Sequence, residues 1–333
     1  MPNNHGSFII SLDFELMWGV RDVATKASYG KNILGVHQVI PRLLQCFKKY
    51  DIHATFATVG FLFFKTKEEL LLHLPENKPQ YNNTALSPYG DYLMKEVGSD
   101  YTIDQYHFAP QLIELIQNTP HQEISTHTFS HYYCWEEGQT IDDFERDIIA
   151  AIQVASLKGC ELKSIIFPRN QFNPNYVKVL NKYGINTYRS NERSWIYQYG
   201  KKGEDSLFKR LIRLINAYIN LSGHHCYSDN EMYHEAEMID IPSSRLLRPF
   251  SKKLAFLDGL RLRRIKKAMT HAAKNKLMFH LWWHPHNFGV NQDENFAFLQ
   301  KILEHYKVLN LKYQFQSLNM IELADLLRQK NGK

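Results

Sequence analysis

Short apolar, β-branched runs alternate along the whole chain with apolar residues at helical spacing. Residues 8–12 read as a strand ending in Asp13-Phe14-Glu15-Leu16. Val36, Val39, Ile40, Leu43, Leu44 and Phe47 then recur with a helical period. Pro41 inside that pattern predicts a kink or a start near position 40. Residues 54–59 predict a second strand, closed by Gly60. Residues 75–104 break into Pro, Asn, Gly and Ser with scattered tyrosines, the mark of an insertion. Residues 123–126 predict a third strand, and Thr140 with Asp143 reads as the cap of a helix through Phe144, Ile148, Ile152 and Ala155 that Gly159 ends. Strands follow at 164–167 and 185–188, with a short helix between them at 175–183 and an exit loop at 189–195. Residues 205–221 carry an amphipathic helix. Strands at 238–242 and 276–283, a helix at 296–309, a strand at 313–315 and a helix at 320–327 close the chain. This alternation predicts an α/β fold with a parallel barrel or open parallel sheet, in one domain over 1–333, with insertions at 75–110 and 195–235.

At 333 residues and 44% hydrophobic, the chain can bury one substantial core. No run approaches ~18 uninterrupted apolar residues, so no transmembrane helix is predicted. The polar start lacks a basic and apolar leader, and a cytoplasmic protein is expected. Cys46, Cys134, Cys160 and Cys226 share no close spacing, which predicts neither a disulfide framework nor a zinc ribbon. The net charge of +6 is uneven, because residues 245–276 hold eleven Lys/Arg against the single acid Asp258. That block reads either as a solvated helix face or as a dock for phosphate, acidic glycan or anionic lipid. The 205–221 helix is expected to pack on the barrel rather than lie on a membrane surface. A nucleic-acid partner is not expected, since the basic residues are not interleaved with stacking aromatics.

Polar clusters fall just after predicted strands: Asp13/Glu15, His127/His131, Arg169, Asn191/Trp195 and His284/His286. All strand C-termini of a parallel barrel share one face, so these distant residues would meet there. His127 and His131, four apart on a tight loop or helical turn, can aim two imidazoles at one divalent ion. Asp13 and Glu15 alternate along an extended segment and so point to one side.

The combination Ser11-Leu12-Asp13-Phe14-Glu15, His127-Thr128-Phe129-Ser130-His131, Pro168-Arg169-Asn170, Trp195 and Trp283-His284-Pro285 resembles the motif series of the polysaccharide deacetylase (NodB-homology) family of carbohydrate esterases. The resemblance spans residues 7 to about 325. It implies a distorted (β/α)7 barrel with insertions, and hydrolysis of an amide on an N-acylated amino sugar. By it, Asp13 is the general base, Arg169 holds Asp13 ionised, and His284 is the general acid, with His286 as the alternative acid or a substrate contact. Trp195 and Asn170 are the remaining substrate-side candidates. The common family pattern has two adjacent aspartates, whereas Phe14 stands in the second place here. The metal carboxylate therefore falls to Glu15, beside His127 and His131, as in the branch with an Asp-x-Glu first motif. Zn²⁺ is the expected ion, with Fe²⁺, Co²⁺ and Ni²⁺ compatible. A precursor of surface polysaccharide, nucleotide- or lipid-linked, is the expected substrate, with Arg261, Arg263 and Arg264 of the basic block on its phosphates. Two other readings keep the barrel: hydrolysis of a cyclic amide or ureide, in some relatives without metal, and a non-catalytic glycan- or membrane-binding domain.

Overall fold

A computed structural model describes residues 5–197, 207–232 and 238–330. Parts of the expected insertion at 195–235, and residues 205–206 of the expected helix, lie outside the described residues. One parallel sheet organises the rest. Its strands are β1 (Ser7–Phe14), β2 (Ala54–Thr58), β3 (Gln122–Thr126), β4 (Ser164–Ile166), β5 (Thr187–Arg189), β6 (Ile239–Asp240), β7 (Arg245–Leu246), β8 (Met278–Trp283) and β9 (Gln316–Leu318). The order is β6-β5-β4-β3-β2-β1-β8-β7, with β9 also beside β1.

β1 is buried on both faces, and the period of two divides its side chains. Phe8, Ile10, Leu12 and Phe14 enter the outer core under the helices, while Ile9 joins the inner cluster with Ala57, Ile166 and Met278. Ser11 and Asp13, on the face of Ile9, therefore point into the barrel. β8 pairs along one edge of β1 from Ser7 to Leu12. β9 takes the start of the opposite edge at Ser7–Ile9, and β2 continues it from Ile10. The chain around β6 and β7 joins the two ends of the sheet. Ile241 and Ser243 donate backbone N–H groups to Tyr188 and Ser190, and Ser244 and Leu247 donate to His280 and Trp282. This is the expected distorted (β/α)7 barrel, with two extra short strands.

Several boundaries differ from the sequence expectation. The first long helix, Lys26–Tyr50, runs straight through Pro41. A reciprocal Thr25–Ser28 cap starts it early, and its buried stripe of Ile33, Val36, Ile40, Leu43 and Phe47 outweighs the one backbone bond that proline removes. The helix expected at 296–309 spans Gln292–Tyr313 and ends at Gln314 in a left-handed cap, so the strand expected at 313–315 follows it at Gln316–Leu318. The 75–110 excursion is not structureless. It carries the short helices Thr84–Leu86 and Asp91–Lys95 and buries Tyr81, Leu86, Leu93, Val97 and Phe108. The amphipathic helix is Leu207–Asn216. Among the described residues, no helix is long and apolar enough to cross a membrane.

Part of the basic block is structural. Arg261 donates to the carbonyls of Arg248 and Pro249 and pairs with Asp258 at 3.0 Å. Arg264 donates to Gly223 O and to Asn220 Oδ1. Both are buried, so the expectation that they meet substrate phosphates is corrected: carbonyls already occupy their guanidinium groups.

Candidate active site and metal centre

Asp13 is the last inward-facing residue of β1, and a guanidinium from the far side of the barrel grips it. That group belongs to Arg189, at the end of β5, not to Arg169. Its Nη1 donates to Asp13 Oδ1 at 2.7 Å and its Nη2 to Oδ2 at 2.8 Å. Nη1 also reaches Ser11 Oγ at 2.9 Å, and Nη2 reaches Asn170 Oδ1 at 2.8 Å. The guanidinium lies over the Trp282 ring at 4.3 Å. Below it, the Ser11 hydroxyl donates to His280 Nε2 at 2.8 Å, and His280 Nδ1–H donates to the Ile241 carbonyl. The Asp13 carboxylate, both terminal nitrogens of Arg189, the Ser11 hydroxyl and the His280 ring all have partners, the condition for burying a charge pair. Burial raises the Asp13 carboxyl, but Arg189, then His284 and His127, more than offset it, and the group stays below its ordinary range.

Arg169 instead pairs with Asp22 and lies over the Tyr133 ring at 4.4 Å. It and Asn170 both have left-handed backbones, at φ 54° and 52°. That turn points the Arg169 side chain away from Asp13 and gives Asn170 a positioning contact on Arg189.

Glu15 follows β1 by one residue and stands among four imidazoles. Its Oε2 lies 3.0 Å from His131 Nε2 and 3.2 Å from His127 Nε2; its Oε1 lies 3.1 Å from His286 Nε2 and 3.7 Å from His284 Nε2. Burial opposes its ionisation, yet His284 and the other three imidazoles around it hold it well below the usual carboxylate range. Room for this carboxylate comes from Gly19, because a Cβ there would stand 1.9 Å from Glu15 Cδ.

The loop carrying His127 and His131 is held from beneath. His127 N–H donates to Thr58 O, and the carbonyls of Thr128 and Phe129 accept from Gly60 and Phe61. Thr128 and His131 take left-handed backbones, at φ 64° and 60°, which turn both rings inward. Asp147, on the helix Ile141–Leu157, accepts from Phe129 N at 2.7 Å, from Ser130 N at 3.2 Å and from the Ser130 hydroxyl. Burial pushes its carboxyl up to about 7. Tyr81 of the 75–110 excursion accepts from Tyr133 N at 3.0 Å and fixes the loop's exit.

The donor set suits a divalent cation. Nδ1–H of His127 donates to Ile166 O at 2.7 Å, an orientation that turns Nε2 toward Glu15 and leaves its lone pair for a metal ion in the neutral tautomer. That Nε2 is buried and makes no hydrogen bond. A lone pair facing a carboxylate at 3.2 Å is repulsive unless a cation lies between them. His131 is kept neutral, its pKa lowered to about 4 by burial. Ligand atoms of Glu15, His127 and His131 lie within 4.8 Å of one another, as do those of Glu15, His284 and His286. Two histidines and a carboxylate with an open position are a common catalytic metal set.

His284 caps the open side. Its Nε2 is 3.7 Å from Asp13 Oδ2, its ring lies 5.7 Å from Trp282, and burial pulls its pKa below the ordinary value against the two carboxylates. His286 does not face outward as a substrate contact. It is buried between Glu15 and the Tyr29 hydroxyl, which donates to its Nδ1 at 2.8 Å. Trp195 is 56% exposed on the turn Trp195–Tyr197, and the indole beside the Asp13 clamp is that of Trp282. Arg189, Gly19 and Asp147 escape the sequence reading. Asp147 did leave a signal, an acid on the apolar stripe of its helix three residues after Phe144.

Residues 29–188 match the family model described as polysaccharide deacetylase. The match takes in the His127–His131 loop but not Asp13, Glu15, His284 or His286. No curated protein matches the chain. Among solved structures it is similar to one from Mycobacterium smegmatis titled "putative polysaccharide deacetylase", at 13% identity over 99% of this chain and 93% of that one, with a TM-score of 0.61. It is also similar to one from Pseudomonas aeruginosa PAO1 titled "probable Polysaccharide deacetylase", at 11% identity over 98% and 91%, TM-score 0.57. A third, Puue allantoinase, gives 11% identity over 100% and 94%, TM-score 0.57. At these identities the likeness speaks for the fold.

Proposed function

We propose that this chain, whose residues 29–188 match the polysaccharide deacetylase family model, is a hydrolase of carbon–nitrogen bonds and more closely a metal-dependent N-deacetylase of an N-acylated amino sugar, a precursor in surface-polysaccharide synthesis. The observation that carries the reading is the buried His127 lone pair turned on Glu15, next to a clamped Asp13. Glu15, His127 and His131 would hold the ion. When bound, such an ion polarises a carbonyl and lowers the pKa of a water from 15.7 to about 7.

The chain's own groups then divide the proton work. Asp13, kept ionised by Arg189, accepts a proton from the water that adds to the amide carbon. His284, within 3.7 Å of Asp13 Oδ2, can receive that proton and deliver it to the departing nitrogen as the C–N bond breaks. Water is thereby split between the released acid and the freed amine. Trp282 and Asn170 keep Arg189 flat and in place. Cyclic-amide hydrolysis is the second reading, supported by the fold shared with an allantoinase.

The test is acetate release from N-acetylglucosamine, free and phosphorylated, by protein loaded with Zn²⁺, Fe²⁺, Co²⁺ or Ni²⁺, with Asp13→Asn as the blank. Metal-dependent acetate release that Asp13→Asn abolishes is expected. No acetate under any metal sinks the deacetylase assignment, and allantoin opening by chelated protein would put the second reading in its place.

A further inference from the structure

A cavity of about 160 Å³ opens on the far side of the Asp13 clamp and shares two walls with it, Asn170 and Trp282. Its other polar walls include Arg213, Arg245, Arg248 and Glu192. Arg245 is 4% exposed, and only its Nη1 finds an acceptor, the Asn216 carbonyl at 3.3 Å. Its Nε and Nη2 are buried without a hydrogen-bond partner, and so is the indole Nε1 of Trp282. Leaving a buried donor unmet is costly, and a group so placed calls for a reason.

From these donors we infer that the cavity is an anion subsite, which takes a phosphate group carried by the substrate. Arg245 offers two N–H groups from one planar fork, the geometry that matches the oxygens of a phosphate. Trp282 offers a third donor from the wall nearest the reacting centre. The buried Arg245 fork, with the half-buried Arg248 on the same wall, favours an anion that presents several oxygens, as a phosphate does. Because Trp282 also underlies Arg189, an amide at Asp13 and Glu15 would set a neighbouring sugar substituent at the cavity mouth. This deepens the deacetylase reading and rests on it for the identity of the sugar.

Two kinds of molecule carry such a phosphate: a nucleoside diphosphate sugar and a polyprenyl phosphate sugar. The helix Leu207–Asn216 contributes Arg213 to the wall, and Leu207 and Phe208 on it are 80% and 66% exposed. An apolar surface beside the phosphate site favours the polyprenyl form.

The experiment is calorimetric titration of the Asp13→Asn protein with inorganic phosphate and pyrophosphate, so that binding is read apart from turnover. Arg245→Gln and Arg248→Ala are each expected to weaken binding about tenfold or more, while the exposed Arg263→Ala leaves it unchanged. Arg248 is half-buried, so its variant reports even if Arg245→Gln fails to fold. Competition by UDP-N-acetylglucosamine or by a short polyprenyl phosphate in detergent then assigns the source. Absence of phosphate binding to wild type, equal binding by the variants, or displacement by acetate as readily as by phosphate overturns the subsite. Phosphate binding without acetate release from any sugar would overturn the deacetylase reading and leave the subsite standing.

Discussion

Gly19→Ala isolates the steric requirement behind Glu15. The added Cβ would lie 1.9 Å from Glu15 Cδ, 2.1 Å from Oε1 and 2.4 Å from Oε2. Ordinary contact begins at 3.4 Å, so the carboxylate must retreat by about 1.5 Å. It has nowhere easy to go, since His131 and His286 hold its two oxygens at 3.0 and 3.1 Å. Overpacking of this kind costs about 1–3 kcal/mol, and a misplacement near 1 Å in a catalytic group costs about 10²-fold in rate. The backbone itself is not the obstacle, because Gly19 is not among the positive-φ glycines. In an Glu15→Ala background the obstacle is gone, and Gly19→Ala should stabilise by about 0.4–1 kcal/mol through the unfolded chain. The assay is a double-mutant cycle by urea denaturation, with bound metal measured in parallel. A change of sign between the two backgrounds is expected, together with loss of metal in the single Gly19→Ala variant. Equal effects in both backgrounds would refute the steric account.

Three further outcomes follow from the same geometry. Arg189→Lys should lower kcat/KM by about 10²-fold, since one ammonium cannot replace a two-pronged grip, and should move the acid limb of the pH–rate profile upward because Asp13 keeps a cation nearby but loses the paired hydrogen bonds that help to depress it. Arg169→Ala should cost only a few-fold, and the reverse ranking would restore Arg169 as the Asp13 partner. Asp147 titrates near 7 when folded and near ~3.9 when unfolded, so the folded state holds its proton longer; the stability it contributes is full below pH 4 and lost as pH rises through 7. Denaturation midpoints of wild type should therefore fall relative to Asp147→Asn between roughly pH 4 and 7, and parallel curves would contradict this. Chelation should abolish turnover and lower the thermal midpoint, and His127→Ala should remove most of that metal-dependent shift; a midpoint indifferent to chelator argues against a resident ion.

The strands, their order of chemistry and the acid and histidine pairs are legible in the sequence because each rests on a local period. Phe8, Ile10, Leu12 and Phe14 alternate with Ser7, Ile9, Ser11 and Asp13, and the same alternation sets which side chains enter the barrel. Arg189 was hidden by a single residue. The fifth strand reads as 185–188, whereas β5 is Thr187–Arg189, so the arginine belongs to the sheet and faces inward across from Asp13. Tyr188 faces the outer helices, and polar neighbours on both sides of a buried tyrosine were the available sign. Arg169 misleads because it follows a strand as the resemblance requires, but two successive left-handed residues turn it outward. Gly19 and Asp147 act across space on groups four and seventeen or more positions away, and no periodicity marks such contacts.

Phe14, the departure from two adjacent aspartates, has a geometric reading. β1 continues through Phe14, whose ring is 1% exposed in the outer core. On an unbroken strand a second acid directly after Asp13 would face that core, where an unpaired charge is prohibitive. Placing the acid one position later returns it to the inner face. The extra methylene of glutamate then reaches across to the His127 loop, and the Leu16 turn at φ 47°, with Gly19 behind it, leaves the space. The exchange of a second aspartate for Phe14 thus preserves a carboxylate at the centre by a different backbone route. Asp13 and Glu15 ionised, against one arginine and histidines of which His131 is held neutral, leave the buried centre short of positive charge. A divalent ion held by Glu15, His127 and His131 would supply that charge without protonating any ring, so on the proposed reading the metal and the Asp-x-Glu spacing stand or fall together.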